Sequence, residues 1–272
     1  MTSPAPFKRL DFITLLTDFG LKDGNVGVMK GVIWNIARWV KIADLSHQIS
    51  PQNVAEAALI LRRSAPYFPT GTIHVIVVDP GVGTSRRPIV AQIGAHYYVC
   101  PDNGVLTMML EHAEAEGESI RIIHADNPHY WLPEISHVFH GRDIFAPLAG
   151  HLANGATLEA LGTSLDNPVR LALAAPKRME YGWKGEVIHV DHFGNISANI
   201  RHEHLGEPAQ VQVQLCGFTI EGMVKTFGER PPGELVALYG STGNLIVSVV
   251  NGSAAKRTRA KPGDPVEVKV LT

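Results

Sequence analysis

The 272-residue sequence predicts an α/β protein: an N-terminal α/β domain on a largely parallel central sheet, residues 1–175, then a mostly β C-terminal domain, residues 176–272. Three observations predict it. Strand-like and helix-like blocks alternate through the first two thirds, as βα units do. The run Thr72 to Val78 is almost continuously apolar and β-branched, which suits a strand buried on both faces. Beyond about Ala175, strand-length runs follow one another with few helical signals between them.

Taken in order, Phe12 to Thr17 reads as a first strand, followed by a glycine-punctuated turn and an amphipathic helix from about Asn25 to Arg38. Val40 to Asp44 reads as a second strand. Ser50-Pro51 marks a helix start, and Val54 to Ser64 carries a helical Ala/Leu/Ile face. Thr72 to Val78 then takes a central place in the sheet. Ile89 to Ile93 and His96 to Cys100, split by Gly94-Ala95, form a hairpin pattern, and Ile144 to Ala153 is helical. Pro176 breaks the preceding element and marks the domain junction. After it come strand patterns at Gly185 to Val190, Val211 to Leu215, Leu235 to Tyr239, Asn244 to Val249 and Val266 to Leu271.

Composition narrows the function. With 45% hydrophobic and 18% charged residues the chain can bury substantial cores, and a formal net charge of −2 supplies no drive towards nucleic acid or an anionic membrane. A small, roughly neutral or zwitterionic ligand fits better. The two cysteines, Cys100 and Cys216, sit in strand-like sequence and read as reduced, buried residues. Met1 to Arg9 lacks the apolar core of a secretory leader, and no stretch approaches the ~18 apolar residues of a spanning helix, so the expectation is a soluble cytoplasmic protein.

Four segments concentrate chemistry. Thr17-Asp18-Phe19-Gly20 ends a strand in a carboxylate, where an Asp can accept both hydrogen bonds of a ribose diol or simply cap the next turn. Asp79-Pro80-Gly81-Val82-Gly83-Thr84-Ser85-Arg86-Arg87 leaves the most buried-looking strand and sets an acid near a guanidinium. It lacks the Gly-Lys-Ser/Thr ending of a triphosphate loop, and a purely structural Asp–Arg pair is its simplest rival. His137-Val138-Phe139-His140-Gly141-Arg142-Asp143 precedes an apolar helix. Its histidine spacing is not that of a zinc site, and His140, beside a glycine, is the better candidate for a functional side chain. The last group is Asp191-His192-Phe193-Gly194-Asn195 with Ser241-Thr242-Gly243-Asn244 and Asn251-Gly252-Ser253, which suits a purine pocket or ordinary turns equally.

In this order the segments resemble the S-adenosyl-L-methionine (SAM) hydroxide adenosyltransferases, the SAM hydrolases related to fluorinase and chlorinase. The resemblance runs from about Ile13 to Ala255 and also includes Pro-Asp-Asn-Gly at 101 to 104. It implies a β-barrel-like C-terminal domain and a homotrimer with sites formed between subunits. It further implies that SAM is substrate rather than cofactor, that no metal is used, and that Asp79, Arg86 and His140 form a water-handling trio. Asp18 matches the ribose ligand, Asp191 and Ser241 the groups that hold the methionine portion, and Phe193, Asn195 and the backbone near Asn251 the adenine pocket. The halide-using relatives resemble a Tyr at Asp79, a Tyr-Ser pair at His140-Gly141 and small hydroxyl residues at Arg86, which favours hydrolysis here. Two departures stand out: Gln52 replaces a Trp, and Ile246 replaces a frequent Glu.

The expected reaction is hydrolysis of SAM to adenosine and methionine by in-line attack of water at ribose C5′. A neutral thioether leaves without protonation, so only the nucleophile needs help: bulk water has a pKa of about 15.7. The expectation is that Asp79 orients the water, Arg86 supplies a positive field, and His140 accepts or relays the proton. An Asp beside an Arg should also be more acidic than usual. The alternatives are a non-catalytic adenosine or SAM sensor and a SAM-dependent halogenase.

Overall fold

The computed structural model describes residues 9–206 and 210–271, so the expectation about a leader at Met1 to Arg9 falls, apart from Arg9, outside the described residues. The chain forms two compact units, Met1–Leu171 and Ala172–Thr272.

The first unit holds seven strands: β1 (Phe12–Thr17), β2 (Lys41–Ser46), β3 (Ile73–Val77), β4 (Pro88–Ile93), β5 (His96–Pro101), β6 (Ile120–His124) and β7 (Thr163–Ser164). They form one sheet in the order β2-β1-β3-β5-β4-β6-β7. The β2-β1-β3-β5 half is parallel, and the β5-β4-β6-β7 half is antiparallel. Helices α1 (Asn25–Ile36), α2 (Val54–Ser64), α3 (Thr107–Glu116), α4 (Ala146–Ala153) and the short α5 (Leu158–Leu161) connect them. Every residue of β3 is buried, and its side chains alternate between two cores. Ile73, Val75 and Val77 pack with Met29 and Ile33 of α1 and Leu148 of α4. Ile76 and the following Val78 pack with Leu61 of α2 and Leu110 of α3. A three-layer α/β/α arrangement results, which is why that segment carries no polar alternation.

The predicted strands and helices recur within a few residues of their expected ends. Asn53, rather than Ser50, caps α2: its side chain accepts from the Glu56 N–H at 3.1 Å. The β4–β5 hairpin turns at Gly94-Ala95, with Gly94 left-handed at φ +53°. The expected helix at Ile144 starts earlier, as a π-helical turn over Gly141–Phe145 that continues into α4.

The second unit contains β8 (Lys177–Met179), β9 (Gly182–Val190), β10 (Ile196–Arg201), β11 (Val211–Leu215), β12 (Phe218–Glu221), β13 (Leu235–Tyr239), β14 (Asn244–Val249) and β15 (Pro265–Val270), with short helices α6 (His202–Leu205) and α7 (Ala254–Thr258). Its antiparallel order is β12-β11-β15-β9-β10-β14-β13, with β8 pairing β9. Residues such as Val187, Ile200, Val213, Leu245 and Val268 fill the interior of this nearly closed, barrel-like sheet.

One expectation about the cysteines needs correction. Both are unpaired and Cys100 is buried, but Cys216 is exposed. It occupies the β11–β12 turn beside Gly217 with φ +48°, so turn geometry carries it out of the core. Among the described residues, no helix is long and apolar enough to cross a membrane.

Candidate active site

Parallel strands β1, β3 and β5 release their chain at one edge of the first sheet. Thr17 of β1 stands opposite Val77 of β3, so Asp18 and Asp79 leave neighbouring strands side by side. Carboxyl ends of parallel strands are where open α/β sheets bind ligands. Asp18 accepts the Gln52 backbone N–H at 2.8 Å, and Gln52 sits at φ +64°. The turn after Asp18 is tied to His47, whose Nδ1 lies 3.0 Å from the Thr17 hydroxyl and whose carbonyl accepts from Gly20 at 2.7 Å. His47 carries no local signal in the sequence, since its anchoring depends on β1 and the segment after β2 being neighbours.

Asp79 and Arg86 belong to the loop from β3 to β4. This loop coils on itself: Val82 N–H donates to the Asp79 carbonyl at 3.2 Å, and the Thr84 hydroxyl donates to the Gly81 carbonyl at 2.7 Å. The coil swings Arg86 back onto the acid seven residues earlier. Arg86 Nε donates to Asp79 Oδ1 at 3.0 Å and Nη2 donates to Oδ2, with the two side chains only 6% and 5% exposed. Arg86 Nη2 also lies 2.9 Å from His140 Nδ1. A guanidinium can only donate, so Nδ1 accepts, and in the neutral ring the proton sits on Nε2. The three side chains predicted to act together do meet.

His140 comes from a part of the sequence 54 residues beyond Arg86, as the residue just before the π-helical turn Gly141–Phe145. Such turns insert one extra residue into a helix and re-aim its side chains. Here the turn buries Phe145 completely and sets its ring 5.2 Å beneath the Arg86 guanidinium. Phe139 meets Phe19 edge-on at 5.8 Å, joining the His140 segment to the Asp18 turn. Gly83 is left-handed at φ +76°, and a Cβ there would overlap the His137 carbonyl oxygen. Arg142 Nε donates to fully buried Asp143 at 2.6 Å, and Asp143 accepts from Ser136 at 2.8 Å, so that pair shapes the turn.

Burial sets the electrostatics. Desolvation raises the Asp79 carboxyl above its ordinary range, and Arg86, His140 and the Gly81 backbone offset this only in part. The expectation of a more acidic Asp79 is therefore reversed: a carboxylate taken out of water loses more than the adjacent guanidinium restores. His140 is pushed below the usual imidazole value by burial first and Arg86 second, against Asp79, Asp143 and the Ser136 backbone, which keeps it neutral at pH 7. Arg86 Nη1 is buried with no hydrogen-bond partner, a spare donor next to this cluster.

In the second unit, Asp191 and Asn195 bind each other in the β9–β10 turn: Oδ1 accepts the Asn195 N–H at 2.8 Å and Oδ2 accepts its side-chain amide at 2.7 Å. Phe193 between them is 74% exposed, an aromatic face free to stack. Gly194 packs against Ser253, and its carbonyl accepts from Ala255 at 2.9 Å, so the Asn251 turn at φ +54° lies beside Phe193 and Asn195. Ser241 is not part of that cluster. It precedes β14 whereas Asn251 follows it, and at ~3.3 Å per residue the six residues of the strand hold the two turns roughly 20 Å apart. Ile246 lies on β14 between them.

Two surface concavities, of about 470 and 360 Å³, lie away from the trio, one along Leu110, Glu159 and Arg170 and the other along Ile42, Tyr67 and Phe68. Among the described residues no group of three or more His, Cys, Asp or Glu side chains is placed to hold a metal ion.

Comparison with known proteins identifies the family. Residues 13–162 match the SAM hydroxide adenosyltransferase N-terminal domain and residues 185–267 its C-terminal domain. The chain is 37% identical to a protein of Salinispora tropica named (R)-S-adenosyl-L-methionine hydrolase, over 94% of this chain and 97% of the relative. A protein of Thermus thermophilus with the same name is 38% identical, over 94% of this chain and 98% of its own length. A fluorinase of Nocardia brasiliensis is 27% identical, over 96% and 98%. A crystal structure of an uncharacterized conserved protein from Thermotoga maritima superposes with a TM-score of 0.88 at 38% identity, covering 94% of this chain and 99% of that one.

Proposed function

Because the chain belongs to the SAM hydroxide adenosyltransferase family, we propose that it hydrolyses SAM to adenosine and L-methionine with Asp79, Arg86 and His140 as its catalytic set. The single observation that carries this assignment is the buried contact among those three side chains, with Arg86 bonded to both partners and still holding a spare buried donor.

In this mechanism the Asp79 carboxylate orients a water and the Arg86 Nη1–H donates to its oxygen, favouring hydroxide character. Attack forms the oxygen–C5′ bond and breaks the C5′–sulfur bond. Methionine departs as a neutral thioether, and the water's proton passes to Asp79 and on to solvent. Asp79 is the better acceptor on two counts: burial makes it more basic, and the His140 Nδ1 lone pair is committed to Arg86. His140 thus steadies the guanidinium, and Asp18 takes the ribose diol. Phe193, Asn195 and the Asn251 backbone take adenine, while Asp191 and Ser241 take the methionine portion. Because Ser241 stands a strand-length from the turn that holds Asp191, Asn195 and Asn251, that assignment requires an extended ligand, with Asp191 at the adenine end of the methionine portion and Ser241 at its far end.

The same proposal includes a homotrimer with sites formed between subunits, no metal or cofactor, and a cytoplasmic location. The exposed Phe193 ring fits burial against a second copy, and unpaired cysteines fit a reducing compartment. A halogenase is disfavoured, since a carboxylate at the nucleophile position repels a halide. A passive sensor would leave SAM intact.

Incubation of the pure protein with SAM in ¹⁸O-water tests the mechanism: adenosine should carry one solvent oxygen at its 5′-hydroxyl, insensitive to chelator. Asp79→Ala and His140→Ala should each lower the rate by about 10²–10⁴-fold. Adenosine without the label would refute water attack, and unchanged rates in both variants would refute the trio.

A further inference from the structure

The β3–β4 loop has an unusual route. In the sheet β3 and β4 are not neighbours, since β5 lies between them. The loop carrying Asp79 and Arg86 therefore crosses over the C-terminal end of β5, and no ladder joins its two ends. The chain leaving β5, Pro101-Asp102-Asn103-Gly104, passes directly under this crossing.

Two successive residues of that turn hold the loop at opposite ends. At the entry, Asn103 Nδ2 donates to the carbonyl of Val78, the residue before Asp79, at 2.9 Å, while Asn103 Oδ1 accepts from Val105 at 3.2 Å. At the exit, the Asp102 N–H donates to the carbonyl of Arg87, the residue after Arg86, at 2.9 Å. The Asp102 side chain, 1% exposed, accepts from Arg87 Nε at 2.8 Å and from Arg87 Nη2. Its other oxygen accepts the Val169 N–H at 2.8 Å, which ties the exit to the segment near the end of the first unit. Neither Asp102 nor Asn103 is bonded to Asp79, Arg86 or His140 themselves.

We propose that Asp102 and Asn103 are positioning residues that pin both ends of the crossing loop and so hold Asp79 and Arg86 against His140. As a contribution to catalysis this rests on the hydrolase function proposed above; as a statement about the loop it does not. A loop without ladder partners would otherwise keep much of its backbone freedom. The reacting water would inherit that spread in position.

The test compares two asparagines with matching bonds. Asn127 donates Nδ2 to the Ala160 carbonyl at 2.8 Å and accepts the His129 N–H at 3.2 Å, the same pattern as Asn103 but with neither bond made to the loop that carries Asp79 and Arg86. Asn103→Ala should lower kcat on SAM by about 10²-fold, the effect of a displacement near 1 Å, with KM nearly unchanged. Asn127→Ala should lose comparable thermal stability with kcat intact. Asn103→Asp, which keeps an acceptor for Val105 and loses the donor to Val78, serves if the alanine variant does not fold. Independently of substrate, NMR titration of ¹³C-labelled histidine should show the His140 pKa moving up towards its ordinary value in the Asn103 variants and not in Asn127→Ala, because a loosened loop rehydrates His140 and withdraws Arg86.

Wild-type kcat and an unmoved His140 titration in a folded Asn103 variant would overturn the clamp. Should wild type form no adenosine from SAM, the hydrolase function fails instead, and the His140 titration still decides the clamp.

Discussion

Removing the Arg86 guanidinium while keeping its bulk, as Arg86→Met does, should destabilise the protein strongly and in a way its partner can repair. The Asp79 carboxylate accepts two bonds from Arg86 with both side chains about nine-tenths buried or more. Deleting one member of such a pair leaves a charge out of water and costs about 3–5 kcal/mol. For a unit the size of Met1–Leu171 that corresponds to a fall of roughly 6–20 °C in Tm, at about 2–4 °C per kcal/mol. Asp79 can relieve the penalty by taking a proton, so the loss should be smaller at pH 5 than at pH 8. Replacing both residues, Asp79→Asn with Arg86→Met, removes the stranded charge and should recover most of the loss. Urea unfolding of wild type, both single variants and the double variant at the two pH values measures each quantity. A loss below about 1 kcal/mol for Arg86→Met at pH 8 would match a solvated surface pair, and the account of a desolvated acid–guanidinium contact would be refuted.

Two further outcomes follow from the first unit. His74 is fully buried, 2.8 Å from the Thr14 hydroxyl and stacked on Tyr98, and its pKa is pushed down to about 3 by burial first and His96 second. Its depressed value means the unfolded chain binds the extra proton, so stability is intact above about pH 6.5 and falls towards pH 3, by up to about 1.4 kcal/mol per pH unit. His74→Gln should flatten that acid limb in denaturant titrations, and an unchanged slope would show that His74 does not cause it. Gly83→Ala should cost about 1–3 kcal/mol from left-handed strain alone and should slow SAM turnover as well, because the new Cβ meets the His137 carbonyl. Kinetics and melting on the same preparation check both effects, and wild-type values in both would contradict the close approach.

Much of the first unit was legible because its signals are local. The apolar run at Thr72 to Val78 has one stable fate, a strand covered on both faces, and the face of Val54 to Ser64 has the helical period. Helix α3 and strand β6 escaped notice because neither stands out by pattern: α3 buries Thr107, Met109, Leu110 and Ala113 with little contrast between its faces, and β6 is five residues long with an arginine at its second position. Asn103 belongs to a segment noted in the sequence, but its bonding role escaped for another reason. Its side chain looks like ordinary turn chemistry, and its bond to Val78 spans 25 residues.

The sequence alone determined which residues could do chemistry: an acid, a guanidinium and an imidazole set beside glycines at the ends of apolar runs, together with the architecture that covers those runs. Tertiary structure decided how they behave. Only the coiling of the β3–β4 loop brings Arg86 back onto Asp79, and only tertiary packing brings His140, at the start of the π-helical turn, to the same guanidinium. The direction of the Asp79 shift was likewise invisible in the sequence, because adjacency to arginine can be read from residue order, whereas the loss of water that outweighs it is a property of packing in three dimensions.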